Sequence, residues 1–320
     1  MADGVVIIDK PAGWTSHDVV ARVRRILGER RAGHTGTLDP FATGVLVVLT
    51  GRATRLAQFV SGAEKEYEAV IRFGYATVTG DATGEPRRAP LESGPLEERL
   101  MAWSDAEIEA AIASLRGEIE QVPPMYSAKK VKGRKLYQMA RRGEEIERAS
   151  VRVRIHEFEA VPVGGALLRR AEGGTCDLSV RVVCSAGTYV RVLAESVGEN
   201  LGVPAHLASL RRTRAGHFKI EDATRLDKLK EMAAEDAAAG ELLLPPDAAL
   251  SELPFVHLTA EEARAARHGR AVHLNVAAEK KYTDGQYVRM RDQGGNLLAV
   301  GCYDARTGGL HPRTVLSPEK

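Results

Sequence analysis

The 320-residue sequence is poor in cysteine: Cys176, Cys184 and Cys302 are an odd number with no C-x-x-C pair. That argues against a disulfide framework and against a structural zinc site. No apolar run approaches the ~20 residues that a membrane span needs. Met1-Ala2-Asp3-Gly4 leads straight into a strand-like stretch, without the basic start or cleavage site of a secretory signal. Also missing are G-x-x-x-x-G-K-[ST], G-x-G-x-x-G after a strand, H-E-x-x-H and G-x-S-x-G. Their absence weakens the case for NTPases, Rossmann dehydrogenases, zincins and α/β-hydrolases. The nine histidines are scattered, with no pair at ligand spacing beside a third candidate, so neither a metal nor a cofactor is expected. A soluble, cytoplasmic globular protein is the expectation.

Net charge is nearly absent as well, since 45 Lys and Arg face 43 Asp and Glu for a balance of +2. The average hides clusters. From Lys129 to Arg142 the basic residues Lys129, Lys130, Lys132, Arg134, Lys135, Arg141 and Arg142 stand without an acid. Arg211, Arg212, Arg214 and Lys219 do the same between Ala205 and Ile220, and Arg22 to Arg31 includes only Glu29. One such run is ordinarily a solvated helix face. Three of them point modestly toward a phosphate backbone.

The composition, 44% hydrophobic and 28% charged, is that of a folded chain rather than a disordered one. At roughly 150 residues per domain the length suggests two domains. Gly4 to Ile8 reads as a buried strand stopped near Pro11, and Ser16 as the N-cap of a helix carrying Val19, Val20, Val23, Ile26 and Leu27 up to Gly28. Val45 to Leu49 reads as a strand buried on both faces, whereas Tyr67, Ala69, Ile71 and Phe73 alternate as in a half-buried one. Ser104-Asp105-Ala106-Glu107 is a capping box. Val151–Val161 and Cys176–Cys184 alternate again, Arg191 to Leu201 reads as a helix closed by Gly202, and a helical stretch after Thr224 runs to Gly240. Pro245, Pro246 and Pro254 mark a boundary, giving domains 1–250 and 251–320. The second carries a short helix at Ala260–His268 and strands near Val288 and Leu297–Val300. Strands and helices mix without regular βαβ alternation. The expected class is α+β: a mixed or antiparallel central sheet with flanking helices, plus a small β-rich C-terminal domain.

The densest unusual segment runs from Arg31 to Gly44 and contains Gly33-His34-Thr35-Gly36-Thr37-Leu38-Asp39-Pro40. A carboxylate displayed on a stiff loop between a helix and a buried strand can serve as base, nucleophile or ligand. An isolated Asp-Pro pair is ordinarily a turn, and an isolated histidine such as His34 is ordinarily a hydrogen-bonded surface group. What lifts the segment is its company.

That company resembles the TruB family of pseudouridine synthases, the bacterial tRNA pseudouridine-55 synthases. The loop resembles the family's catalytic motif, and Gly4 to Gly13 its opening strand and turn. Lys65-Glu66-Tyr67 fits its K-x-Y element, and Pro124-Met125-Tyr126-Ser127-Ala128 with the following lysines its RNA-contacting insertion, about 121–147 here. Ser185 to Arg191 fits G-T-Y-[IV]-R, and Ala205-His206-Leu207 with Leu210-Arg211-Arg212 fits the last. The resemblance covers residues 4 to about 250, and the C-terminal segment resembles a PUA-like RNA-binding module. One departure is visible: Thr77-Val78-Thr79-Gly80-Asp81 has Val78 where the family often has an acid.

The resemblance implies isomerisation of uridine at position 55 in the tRNA T-arm by base flipping, with Asp39 as nucleophile. Arg191 would keep that acid ionised and oriented. Tyr67 and Tyr189 would offer flat faces to uracil, Tyr67 could also take a proton, Leu210 would form an apolar wall, and His34 would fill the space the base vacates. Tyr189 and Arg191, two residues apart, would share a side if the segment were a strand. Lys129, Lys130, Lys132, Arg134, Arg141, Arg142, Arg211 and Arg212 would hold the RNA backbone. The implied enzyme is a stand-alone monomer needing no protein partner. Three other readings compete: an RNA-binding chaperone, a guide-RNA-dependent synthase, and a glycosidase-like hydrolase with Asp81 as its second carboxylate.

Overall fold

A computed structural model describes residues 2–87, 95–131, 133–234, 243–273 and 282–316. Its main sheet has ten strands. Seven of them form its path in the order β1 (Gly4–Lys10), β3 (Thr43–Thr50), β11 (Ala205–Ala215), β4 (Lys65–Phe73), β10 (Thr175–Cys184), β8 (Val151–Ala160) and β5 (Gly117–Gln121). Short strands β2 (Ala32–His34), β9 (Leu168–Ala171) and β12 (Phe218–Lys219) pair with β3, β10 and β11. Pairing is antiparallel throughout except between β3 and β11. A hairpin of β6 (Lys130–Val131) and β7 (Arg134–Lys135) stands apart from that sheet.

The burial of each strand follows its sequence pattern. β4 buries Lys65, Tyr67, Ala69, Ile71 and Phe73 in strict alternation. In β3, Val45, Val47 and Leu49 pack into one core and Leu46 and Val48 into another, so both faces are covered. Helix α1 (Ser16–Leu27) lays Val19, Val20 and Val23 on the second of these cores. Its N-cap is Thr15 rather than Ser16: Thr15 is extended, its hydroxyl accepts from the Asp18 amide, and Asp18 accepts from the Thr15 amide. That arrangement leaves the Ser16 hydroxyl for another task.

On the far half of the sheet, α4 (Asp105–Ala113) and α6 (Val190–Asn200) cover a core of Ile71, Phe73, Phe158, Leu178, Val182 and Leu193. Ser104 caps α4 through a capping box as the sequence indicates. Tyr189 to Arg191 is not a strand. Tyr189 is the N-cap residue of α6 and Arg191 lies in its first turn, buried. The helix after Thr224 spans Leu226–Ala234, and its expected continuation to Gly240 falls outside the described residues.

A second sheet of five strands follows: β13 (Phe255–His257), β15 (Tyr287–Arg291), β16 (Leu297–Asp304), β17 (Gly309–Val315) and β14 (Val272–His273). It has its own core beneath helix α8 (Ala260–Arg267), where Ala263, Ala266, Val288, Met290 and Leu310 meet. Leu297, Val300 and Leu316 instead join Val5, Val47 and Leu56 of the first sheet's core. The whole is a mixed α/β fold with a central sheet, covering helices and a C-terminal sheet. Among the described residues no helix is long and apolar enough to cross a membrane.

Candidate active site

One cleft of about 230 Å³ opens where β4, β11, the loop before β3 and the start of α6 converge. It is smaller than the usual range for drug-sized ligands, ~300–1,000 Å³. Asp39, Tyr67, Tyr189, Arg191 and Leu210 all line it, although up to 171 residues of sequence separate them (210 − 39).

Asp39 is held from both sides. The amide of Leu38 donates to Ser16 Oγ (2.9 Å), and Ser16 Oγ donates to the Leu38 carbonyl (3.1 Å). The Pro40 carbonyl accepts from the Gly13 amide (2.8 Å) and from Lys10 Nζ (3.2 Å). Lys10 is fully buried and also donates to the carbonyls of Pro11 and Trp14, so burial brings its ammonium down to about 8. A short polar carboxylate between two anchored neighbours has little rotational freedom left to lose on binding.

The Arg191 guanidinium is shared among four partners. Its Nε lies 2.9 Å from Asp39 Oδ2, Nη1 donates to the Thr79 carbonyl (2.6 Å), and Nη2 donates to the Tyr126 carbonyl (2.8 Å). Asp81 Oδ2 lies 3.9 Å from Nη1. Such a fork fixes position as well as charge. Burial is the largest influence on Asp39 and raises its carboxyl above the ordinary value; Arg191 and then Lys10 oppose the rise, and Asp81 adds to it.

Asp81 is therefore close to the cluster, but it does not line the cleft. Its Oδ1 is occupied by Thr79 Oγ1 (2.8 Å), the Thr83 amide (3.0 Å) and Thr83 Oγ1 (2.6 Å). A carboxylate so engaged orients its own loop and Arg191, and is not placed as the second acid of a glycosidase. Val78 on the same loop is 38% exposed.

Tyr67 is buried, and burial raises its phenol while Arg212 opposes that rise. The Tyr189 amide donates to Gln121 Oε1 (2.9 Å), so buried Gln121 sets the ring's entry point. His34 is not among the lining residues: it lies at the end of β2 with its ring 5.6 Å from that of His17. Burial lowers its imidazole to about 4, leaving it neutral at pH 7.

The expected RNA-contacting cations divide. Lys130, Arg134, Arg141 and Arg142 are exposed on the segment that carries the β6–β7 hairpin, Lys129 is half-buried there, and Lys132 lies outside the described residues. Arg134 is engaged by Glu144 at 2.9 Å. Arg211 is part-exposed and pairs with Asp9 at 2.9 Å. Arg212, expected to hold the RNA backbone, is instead 2% exposed and lines the cleft. The strand's two-residue period puts its side chain on the buried face with Leu210.

Sequence reasoning missed Lys10, Ser16, Gln121 and Ser127 as parts of this site. Ser127 lines the cleft with a buried hydroxyl that has no partner among the described residues. Among the described residues no cluster of three or more His, Cys, Asp or Glu could hold a metal ion.

Two family models match the chain: TruB family pseudouridylate synthase (N-terminal domain) over residues 24–190, and tRNA pseudouridylate synthase B C-terminal domain over 191–251. A relative from Geobacillus kaustophilus, tRNA pseudouridine synthase B, is 46% identical over 87% of this chain and 93% of its own length. A protein of the same name from Thermobifida fusca is 47% identical over 85% and 87%. Among solved structures, a chain from a Cbf5–Nop10–Gar1 complex matches with a TM-score of 0.71 and 27% identity, over 99% of this chain and 86% of that one. Fold and sequence together define a pseudouridylate synthase, an isomerase class in which the Asp39–Arg191 cleft sits within the matched region. Within that class, the chain belongs to the TruB family.

Proposed function

We propose that the protein converts uridine to pseudouridine at position 55 in the T-arm of tRNA, alone and without a guide RNA. The observation that carries this reading is the Asp39–Arg191 pair in a cleft, in a chain 46% identical over 87% of its length to a tRNA pseudouridine synthase B. In the reaction the N1–C1′ bond breaks, C5 bonds to C1′, the hydrogen on C5 leaves and N1 gains one. Nothing is oxidised or reduced. Asp39 acts as the nucleophile. Attack at C1′, attack at C6 and assisted elimination to a glycal all begin from an ionised carboxylate, which Arg191 and Lys10 favour against burial.

The flipped uracil lies between Tyr67, Tyr189 and Leu210, with loss of stacking in the RNA costing a few kcal/mol. His34, neutral and beside the loop, props the space left in the RNA. Lys129, Lys130, Lys132, Arg134, Arg141, Arg142 and Arg211 hold the stem backbone. The chain divides into a catalytic domain, 1–250, and a PUA-like RNA-binding domain, 251–320; it works as a monomer in the cytoplasm. The Cbf5 relatives are solved with protein partners, but the identity to them is 27%, against 46% to the tRNA enzyme.

The test uses unmodified tRNA carrying tritium at uridine C5, wild-type and Asp39→Asn proteins, and EDTA throughout. Release by the wild type and none by the variant is expected. Release by neither, with salt-sensitive tRNA binding intact, would overturn the stand-alone enzyme and favour a guide-dependent synthase or a chaperone.

A further inference from the structure

Arg212 is a buried cation of an unusual kind. Its neighbours on β11 are paired with carboxylates, Arg211 with Asp9 and Arg214 with Glu66, whereas among the described residues Arg212 has no acidic partner. Burying an unpaired guanidinium is costly, and a site that keeps one uses its hydrogen-bond geometry or its field. Here the geometry is explicit. Nε donates to the Val45 carbonyl of β3 (2.7 Å), and Nη2 donates to the Gly36 carbonyl (3.1 Å) in the loop that presents Asp39. Across the antiparallel β11–β4 ladder Arg212 stands directly opposite Tyr67, so the two side chains share the face that lines the cleft.

The backbone is shaped to the same point. Where β3 runs parallel to β11, Gly44 lies beside Arg212 with φ +99°, and a Cβ there would fall 2.2 Å from the Arg212 carbonyl oxygen. At Gly36 a Cβ would sit 3.5 Å from Arg212 Nη1. The arginine therefore occupies the junction of three elements: the loop carrying Asp39, the start of β3, and the strand carrying Tyr67.

We propose that Arg212 is a positioning residue for the reaction, one whose planar fork holds the Gly36 end of the Asp39 loop in register with Tyr67. It is not a phosphate contact. The inference rests on the isomerase reading above. Its field also favours the ionised form of Tyr67, lowering the phenol against the effect of burial. A lysine does not reproduce this bridge, because its ammonium is a point donor on a flexible stem and lacks the planar fork that reaches Val45 and Gly36 from two different nitrogens.

The experiment measures tritium release from C5-labelled tRNA by wild type, Arg212→Met, Arg212→Lys, Tyr67→Phe and the double variant Arg212→Met/Tyr67→Phe. Kd for tRNA is measured over a range of salt. For Arg212→Met, kcat is expected to fall about 10- to 100-fold, the range a misplaced reacting group produces, while KM and the salt slope of binding stay unchanged. Arg212→Lys is expected to fall several-fold in kcat alone, and it decides the matter if the methionine variant does not fold. In the Tyr67→Phe background the methionine substitution is expected to cost less than in wild type, since part of its effect passes through that hydroxyl. A raised KM with a salt slope smaller by about one would assign Arg212 to a phosphate and overturn the inference. Wild-type kcat in Arg212→Lys, or full additivity with Tyr67→Phe, would overturn it too. Failure of the wild type to release tritium would instead overturn the isomerase reading on which it stands.

Discussion

Replacing Arg191 by methionine removes the guanidinium that faces both Asp39 and Asp81 and that caps the Thr79 and Tyr126 carbonyls. The Arg191 side chain is 4% exposed, so water cannot take over its role. Breaking a buried ion pair by removing one partner costs about 3–5 kcal/mol, and because the Asp39 side chain keeps 30% of its exposure the cost here lies at the low end, about 3 kcal/mol. At roughly 2 °C per kcal/mol for a chain of this size, melting at neutral pH should drop by about 6 °C. The pH dependence gives a sharper check. Asp39 is already raised by burial, and Arg191 is the largest influence opposing that rise. Without it the carboxyl climbs further, and the acid limb of the activity profile moves to higher pH. A carboxyl raised in the folded state makes its ionisation cost stability, so the melting deficit should grow as pH rises through that value and shrink in acid. Thermal unfolding at pH 5 and 8, with tritium release across pH 5–9, reads both effects. An unchanged acid limb together with a melting deficit independent of pH would refute the account of the pair.

The melting difference between Asp39→Asn and the wild type should shift in favour of the variant as pH rises from 4 to 8, because the amide escapes the cost of ionising a buried carboxyl, whereas the loss of Arg191's partner weighs at both pH values. A difference that moves the other way with pH contradicts that sign. Arg141→Ala with Arg142→Ala removes two exposed cations near the hairpin and should flatten the salt dependence of tRNA binding by roughly two units, at about 0.9 per phosphate contact. An unaltered slope in filter binding would place the stem elsewhere. Burial pushes the thiols of Cys176 to about 12 and Cys184 to about 11, so a disulfide reagent should titrate one thiol quickly in the folded protein, part-exposed Cys302. Two or three fast thiols would contradict that burial.

Local pattern alone determined the strands and helix ends whose signals are contained within a few residues. Alternation from Tyr67 to Phe73 fixed the buried face of β4, and Ser104 with Glu107 fixed the start of α4, because these depend on periodicity and on backbone amides three residues away. The motif resemblance brought Asp39, Tyr67, Tyr189, Arg191 and Leu210 into one list, and the fold places all five around one cleft. Periodicity failed where a neighbouring element supplied the deciding contact. Thr15 took the cap and left Ser16 to clamp Leu38, whereas the helix expected from Arg191 is present, with Gln121 from a distant strand binding the Tyr189 amide at its start.

The basic run at the end of β11 shows the division most plainly. In sequence Arg211 and Arg212 are two equal cations beside each other. Only the tertiary structure separates them, turning Arg211 outward to Asp9 and Arg212 inward to Gly36 and Val45. Sequence carries composition and period, but the sidedness of a strand depends on what the sheet packs against. The desolvation that raises Asp39, and the burial of the Ser127 hydroxyl on the same cleft, arise from the same packing. They exist only once segments far apart in the chain exclude water together.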